Sequence, residues 1–197
     1  MNWETVDLAG FDRAGRYKLL TGSVIPRPIA WVTTRMPDGR ANLAPYSQFI
    51  IISADPGLLG FSIGNRDGGP KDTLVHLRRE GEMVINCAPE DCAGTIQESS
   101  LELGAETSEI EHLGLETLPS VKVKPPRLAK SAIQFECSLE RLIPLGGSTL
   151  VVGRVLLMHI ADGLRSDANQ IDHGRYRPLG RIGGRRYVRL TEIVDLD

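Results

Sequence analysis

Cysteine is scarce in this chain: Cys87, Cys92 and Cys137 are the only three in 197 residues. An odd count without framework spacing argues against a disulfide scaffold, and no Cys/His cluster has zinc spacing, so no metal is expected and the three read as reduced thiols. No apolar run approaches the roughly 20 residues of a membrane span. The opening stretch MNWETVDLAGFDRAG has neither the basic nor the apolar segment of an export signal, so a cytoplasmic protein with no membrane partner is expected. Charge of one sign is also missing. Lys and Arg total 23 against 25 Asp and Glu, a formal net charge of −2. Nucleic-acid affinity rests on basic side chains displacing counterions from phosphates, so no nucleic-acid partner is expected and any anion site must be local. The G-x-G-x-x-G and G-x-x-x-x-G-K fingerprints are absent, and strands and helices do not alternate regularly, which argues against a doubly wound nucleotide fold.

What is present suits one globular domain over residues 1–197, with 41% hydrophobic residues to build a core. IAWVTT (29–34) is rich in strand formers and MPDGRA after it supplies a reversal. NLAPYSQFIIIS then reads as the returning strand, followed by GLLGFSIG and GEMVINCAP. Between these last two, Asp72 is a candidate N-cap for a helix from Thr73 with Leu74 and Leu77 on one face and Gly81 closing it. A second helical region is expected from about Asp91 to Leu103, then an extended connection through LPSVKVKPPRLAK. AIQFECSLERLI alternates, with Phe135, Cys137 and Leu139 opposite Gln134, Glu136 and Ser138, as a half-buried antiparallel strand should. TLVVGRVLLMHI pairs with it across PLGGS. The pattern predicts a mainly β, antiparallel sheet closed as a small barrel with peripheral helices.

Three segments carry candidate chemistry. In NLAPYSQF, Pro45 removes a ladder donor and confines the segment to an edge or an irregularity, while Ala44 and Ser47 are small. In GNRDGGPKDT, glycines permit tight turns ahead of a helix start bearing Lys71, Asp72 and Thr73. Both a phosphate cradle and a solvated loop with an ordinary cap satisfy that pattern. GFSIG matches the nucleophile elbow of serine hydrolases around Ser62, with His76 and His173 downstream. The elbow requires a helix straight after the serine, which IGNRDGGP hardly allows, so a hydrolase is a distant alternative.

Taken together, YKLLTGSVIPRPIAWVTT, GRANLAPYSQF, PGLLGFSIGNRDGGPKDT, GEMVIN and the late YRPLGRIGGRRY resemble, in order and spacing, the flavin reductase-like family of FMN-binding split barrels, particularly its flavoredoxin-type branch. The likeness runs through nearly the whole chain. It implies a split β-barrel homodimer with FMN bound at or near the interface. It also implies an FMN-dependent oxidoreductase passing hydride from NAD(P)H to flavin and on to a small-molecule acceptor. The alternative is an FMN-binding electron carrier without NAD(P)H turnover.

Carried over by motif, the resemblance makes Asn42, Ala44, Pro45 and Ser47 the floor of the flavin site. Trp31, Thr33 and Thr34 would be contributed by the preceding strand, Trp31 being equally readable as a core aromatic. Ser62, Lys71, Asp72 and Thr73 would surround the phosphate, and Arg27 would reach the cofactor or the partner subunit. FMN carries the redox chemistry, so no acid–base triad is required. His173, Tyr176 and Arg181, in an Arg-rich tail, are weak candidates for a substrate pocket. His76 and Leu77 stand where the family often has Asn-Ile.

Overall fold

The computed structural model describes residues 1–66 and 69–196. The strands are β1 (Arg27–Pro28), β2 (Ala30–Arg35), β3 (Ala41–Tyr46), β4 (Phe49–Ala54), β5 (Gly57–Gly64), β6 (Glu82–Cys87), β7 (Thr117–Leu118), β8 (Arg127–Leu128), β9 (Ile133–Leu145), β10 (Ser148–Ile160), β11 (Leu179–Gly183) and β12 (Arg186–Arg189). The helices are α1 (Arg13–Ser23), α2 (Asp72–Glu80), α3 (Ala93–Glu98) and α4 (Glu109–His112). Seven strands form one antiparallel sheet in the order β3-β2-β6-β9-β10-β5-β4. A smaller sheet, β1-β11-β12, and the β7–β8 ladder complete the β structure among the described residues.

The sheet curls until its two edges approach each other. Tyr46 of β3 stacks on Phe61 of β5 with ring centroids 5.0 Å apart. Inside lie Ala30, Val32, Phe61, Ile63, Met83, Ile85 and Val151, with Leu74 and Leu77 of α2 packed among them. That is the split barrel, and the leucines on α2 fall where their spacing places them. Outside β2 a second core gathers Ile29, Trp31, Leu43, Ile96, Leu128 and Leu179. Strand β2 is therefore buried on both faces, which its unbroken apolar run reflects.

Four differences from the sequence reading have physical causes. NLAPYSQFIIIS is two strands, because the chain bends at Ser47 and Gln48. The helix expected to Leu103 ends at Glu98: Ser99 and Ser100 turn their hydroxyls back onto the carbonyls of Ile96 (3.0 Å) and Gln97 (2.6 Å), which competes with further helix. In β9 the face carrying Gln134 and Glu136 is not solvated. Glu136 is fully buried, accepting from the Val121 (2.8 Å) and Lys122 (2.5 Å) amides and bonded to His159 Nε2 at 2.6 Å, so it holds the 119–126 segment against the barrel. Finally, Asp72 is not the cap of α2. Lys71 occupies that position without a side-chain cap bond, and Asp72 is the first helical residue, pairing with Arg66 at 3.2 Å. Gly81 does close the helix in the left-handed conformation, φ 66°.

Candidate functional site

β3 is an edge strand, paired only with β2, as its proline requires. The outward groups of its first half are occupied: Ser108 Oγ donates to the Ala41 carbonyl at 2.6 Å, and the Leu43 amide donates to Glu109 Oε2 at 2.9 Å. Leu43 thus shows which alternate residues point their backbone away from β2, and Pro45 is the next of them. A proline there leaves no unpaired donor. Beyond Glu109 the edge opens into a cleft.

The cleft is bounded by Asn42, Ala44, Pro45 and Tyr46 of β3. Arg66, Lys71, Asp72 and Thr73 at the N-terminus of α2 form a second wall, and Ser99 to Leu103 with Glu109 form the third. The Tyr46 ring is fixed by its stack on Phe61, and its hydroxyl is buried beside Thr73 without a hydrogen bond of good geometry. Burial raises the ionisation of that hydroxyl well above the ordinary phenol range, so it is present as a donor. Asn42 Nδ2 donates to Thr73 Oγ1 at 3.2 Å and to Thr34 Oγ1 at 3.4 Å. Burial also raises the Glu109 carboxyl, against the pull of the Leu43 amide.

The hydroxyl-bearing residues Tyr46 and Thr73, two cations and the first turn of a nine-residue helix all border one space. Such a set is suited to a phosphate group, whose oxygens accept from N–H and O–H donors at a positive helix end. The residues present therefore fit the phosphate of FMN.

Of the residues expected from sequence, Asn42, Ala44, Pro45, Lys71, Asp72 and Thr73 come together around the cleft. The others lie elsewhere. Trp31 is fully buried in the outer core, its indole donating to Ser99 Oγ at 2.9 Å, so it braces the third wall from behind. Thr33 donates to the Pro126 carbonyl at 2.6 Å, and Thr34 stands 3.1 Å from His76 Nδ1. Arg27 is buried and donates to the carbonyls of Thr21 and Val24 at the end of α1, with Ser47 Oγ 3.5 Å from its Nε. Ser62 lies inside β5, which continues to Gly64, and the next helix begins only at Asp72, so no nucleophile elbow forms. His173 is exposed, Tyr176 is partly buried, and Arg181 of β11 lies over the Tyr187 ring at 4.6 Å. None of these three borders the cleft.

Asp67 and Gly68 of the Gly-rich segment lie outside the described residues. Among the described residues no three His, Cys, Asp or Glu side chains are grouped to hold a metal, and no helix is long and apolar enough to cross a membrane.

Arg66, Tyr46, Glu109 and the Ser99–Leu103 wall were not expected from sequence. Tyr46 had a signal in its position beside the edge proline, and Arg66 in its place within the Gly-rich segment. The wall had none, since its residues meet the cleft only through the fold.

Residues 21–180 match the family described as flavin reductase like domain. A Halalkalibacterium halodurans protein of uncharacterised function is 40% identical over 192 residues, 94% of this chain and 91% of its own length. Among solved structures, nitrilotriacetate monooxygenase component B from Bacillus cereus superposes with a TM-score of 0.95 at 34% identity, covering 100% of both chains. The 2-nitrobenzoate 2-nitroreductase NbaA of Pseudomonas fluorescens gives 0.90 at 30% identity, over 98% of this chain and 95% of its own.

Proposed function

The chain belongs to the flavin reductase like family, and we propose that it is an FMN-dependent oxidoreductase that takes hydride from NAD(P)H and passes electrons to a small-molecule acceptor. The observation that carries this reading is the Tyr46 hydroxyl, buried beside Thr73 without a well-formed hydrogen-bond partner at the cleft by the start of α2. A phosphate oxygen would supply that partner.

Lys71 and Arg66 would offset the phosphate charge, and Thr73 and Tyr46 would donate to it. The small Ala44 and the open edge beyond Pro45 leave room for the flavin ring to lie close to backbone. Asp72 is paired with Arg66 and Glu109 is engaged by the Leu43 amide, so neither of these two confronts the phosphate unpartnered, and the third carboxylate of the lining, Glu102, is exposed to solvent. Bound FMN supplies the redox chemistry, accepting a hydride and returning electrons to an acceptor. The monooxygenase component and the nitroreductase named above support a reaction of this class.

A homodimer is part of the proposal. β4 is the other edge of the sheet and exposes Ile50 (57%) and Ile51 (78%). Leu156 and Met158 of β10 are exposed as well. Exposed apolar edges of this kind are covered in assemblies, and a two-fold pair is the commonest way to do so.

Mixing the purified protein with FMN and then, without oxygen, with NADH or NADPH tests the reading. Quenched FMN fluorescence followed by bleaching of the flavin's visible absorbance is expected. Quenching without bleaching by either nucleotide would make the protein an electron carrier, and absence of quenching would remove FMN.

A further inference from the structure

A line of polar side chains runs from the cleft into the protein. Asn42 Nδ2 lies 3.2 Å from Thr73 Oγ1 and 3.4 Å from Thr34 Oγ1, and Thr34 Oγ1 is 3.1 Å from His76 Nδ1. All four residues are buried. The line passes from α2 to β3, on to β2, and back to α2 one turn further along. Only Thr73 and Asn42 border the cleft.

The direction of the protons along this line follows from which atoms can donate. An amide nitrogen only donates, so both hydroxyl oxygens accept from Asn42. Each hydroxyl then has its own proton to place. Thr34 directs its proton to His76 Nδ1, which must be the unprotonated nitrogen of a neutral imidazole. Thr73 keeps its proton for an acceptor on the cleft side, where the Tyr46 hydroxyl lies beside it. A reverse arrangement also links the four residues: His76 carrying a proton on Nδ1 donates to Thr34, Thr34 donates to Asn42 Oδ1, and the turned amide accepts from Thr73. In that state the cleft has lost a donor. The imidazole therefore decides whether the first turn of α2 presents a hydroxyl proton to an anion.

We propose that His76 is a positioning residue that acts through Thr34 and Asn42 to hold the Thr73 hydroxyl proton available to an anion in the cleft. Identifying that anion as the phosphate of FMN rests on the function proposed above, while the direction of the relay does not. The surroundings favour the neutral ring. Burial and then the Arg79 charge lower its ionisation, against Asp72 on the same helix and Asp38 in the β2–β3 turn.

Nitrogen-15 NMR of His76 in the ligand-free protein at neutral pH should find the proton on Nε2, and a proton on Nδ1 would overturn the relay. FMN and riboflavin are then titrated into variants. His76→Leu should lose about tenfold in FMN affinity, the size of one lost hydrogen bond, while riboflavin stays within about twofold. His76→Asn, whose amide oxygen can accept where Nδ1 does, should return FMN to within about threefold of the wild type. Thr34→Val severs the same line while keeping a β-branched residue in the strand, and it serves if His76→Leu does not fold. The proposal is overturned if these two variants keep the wild-type ratio of FMN to riboflavin affinity while Lys71→Ala lowers it. If Lys71→Ala also leaves the ratio unchanged, the phosphate placement has failed, and the NMR result still decides the relay.

Discussion

The two edge strands of the large sheet meet their unpaired backbone in opposite ways. On β3, Ser108 and Glu109 occupy the first outward groups, Pro45 removes the next donor, and Tyr46 after it is turned inward onto Phe61. On β4 no such groups intervene among the described residues, and Ile50 and Ile51 are exposed. An edge terminated by polar groups and opening beside a helix N-terminus suits a small anionic ligand. An edge left with apolar side chains suits another protein surface. Two ends of one sheet, separated by only two residues in sequence, are thus suited to different kinds of contact.

The strongest way to break this comparison is Ile51→Asp. An isoleucine buried in an interface is worth about 1.5–3 kcal/mol and a two-fold pair buries two, so the dimer dissociation constant should rise at least about a hundredfold. Sedimentation checks it. FMN affinity falling in parallel would show that the two edges share a site, and unchanged affinity would separate them.

Glu109→Ala tests the polar edge. It leaves the buried Leu43 amide without an acceptor, which should destabilise the fold by about 1–3 kcal/mol in urea unfolding, and Glu109→Gln should recover most of the loss.

Two buried carboxylates give opposite pH signs. Burial raises Glu109, so its contribution is present below the unfolded value near about 4.3 and is lost as pH rises through the folded one. Glu109→Gln escapes that loss and should gain on the wild type as pH rises above about 4.3. At Glu136 burial pushes upward, but His159 and the Val121 and Lys122 amides bring the carboxyl below its ordinary range. Its contribution is present above the unfolded value and lost as pH falls through the folded one. Glu136→Gln should therefore be less stable than the wild type at pH 7, with the gap closing in acid. Urea unfolding at several pH values reads both.

The smallest effect is expected of Asp72→Asn. It removes a half-exposed pair with Arg66 and a charge in the first turn of α2, and should lower stability by less than about 1 kcal/mol. FMN affinity should hold or improve, because Arg66 is released and a negative charge is gone.

Much of this frame is legible in the sequence. Alternation and β-branched runs place β2, β5, β6, β9 and β10, the proline marks β3 as an edge, and the leucine spacing places α2. Helix α1 gives no such signal because it buries no residue, so it has no apolar face to read. Glu136 misleads because a charged residue in an alternating strand suggests solvent, whereas three hydrogen bonds keep it inside. Trp31 and Thr33 share the strand of Thr34 but point to the outer core, and sequence cannot say which side of a doubly buried strand meets the cleft. Tyr46 stands beside the edge proline in the sequence, but its stack on Phe61 is visible only in the fold.

If a phosphate binds at the start of α2 as proposed, titrating FMN and riboflavin into the wild type and Lys71→Ala will reveal it most directly. Losing one charge-assisted contact is worth roughly 1.5–3 kcal/mol, so FMN should weaken about ten- to a hundredfold while riboflavin, which lacks the phosphate, hardly changes. Added salt should shrink the difference, since a partly exposed charge is screened. Equal losses for the two flavins would place the phosphate elsewhere and contradict the account.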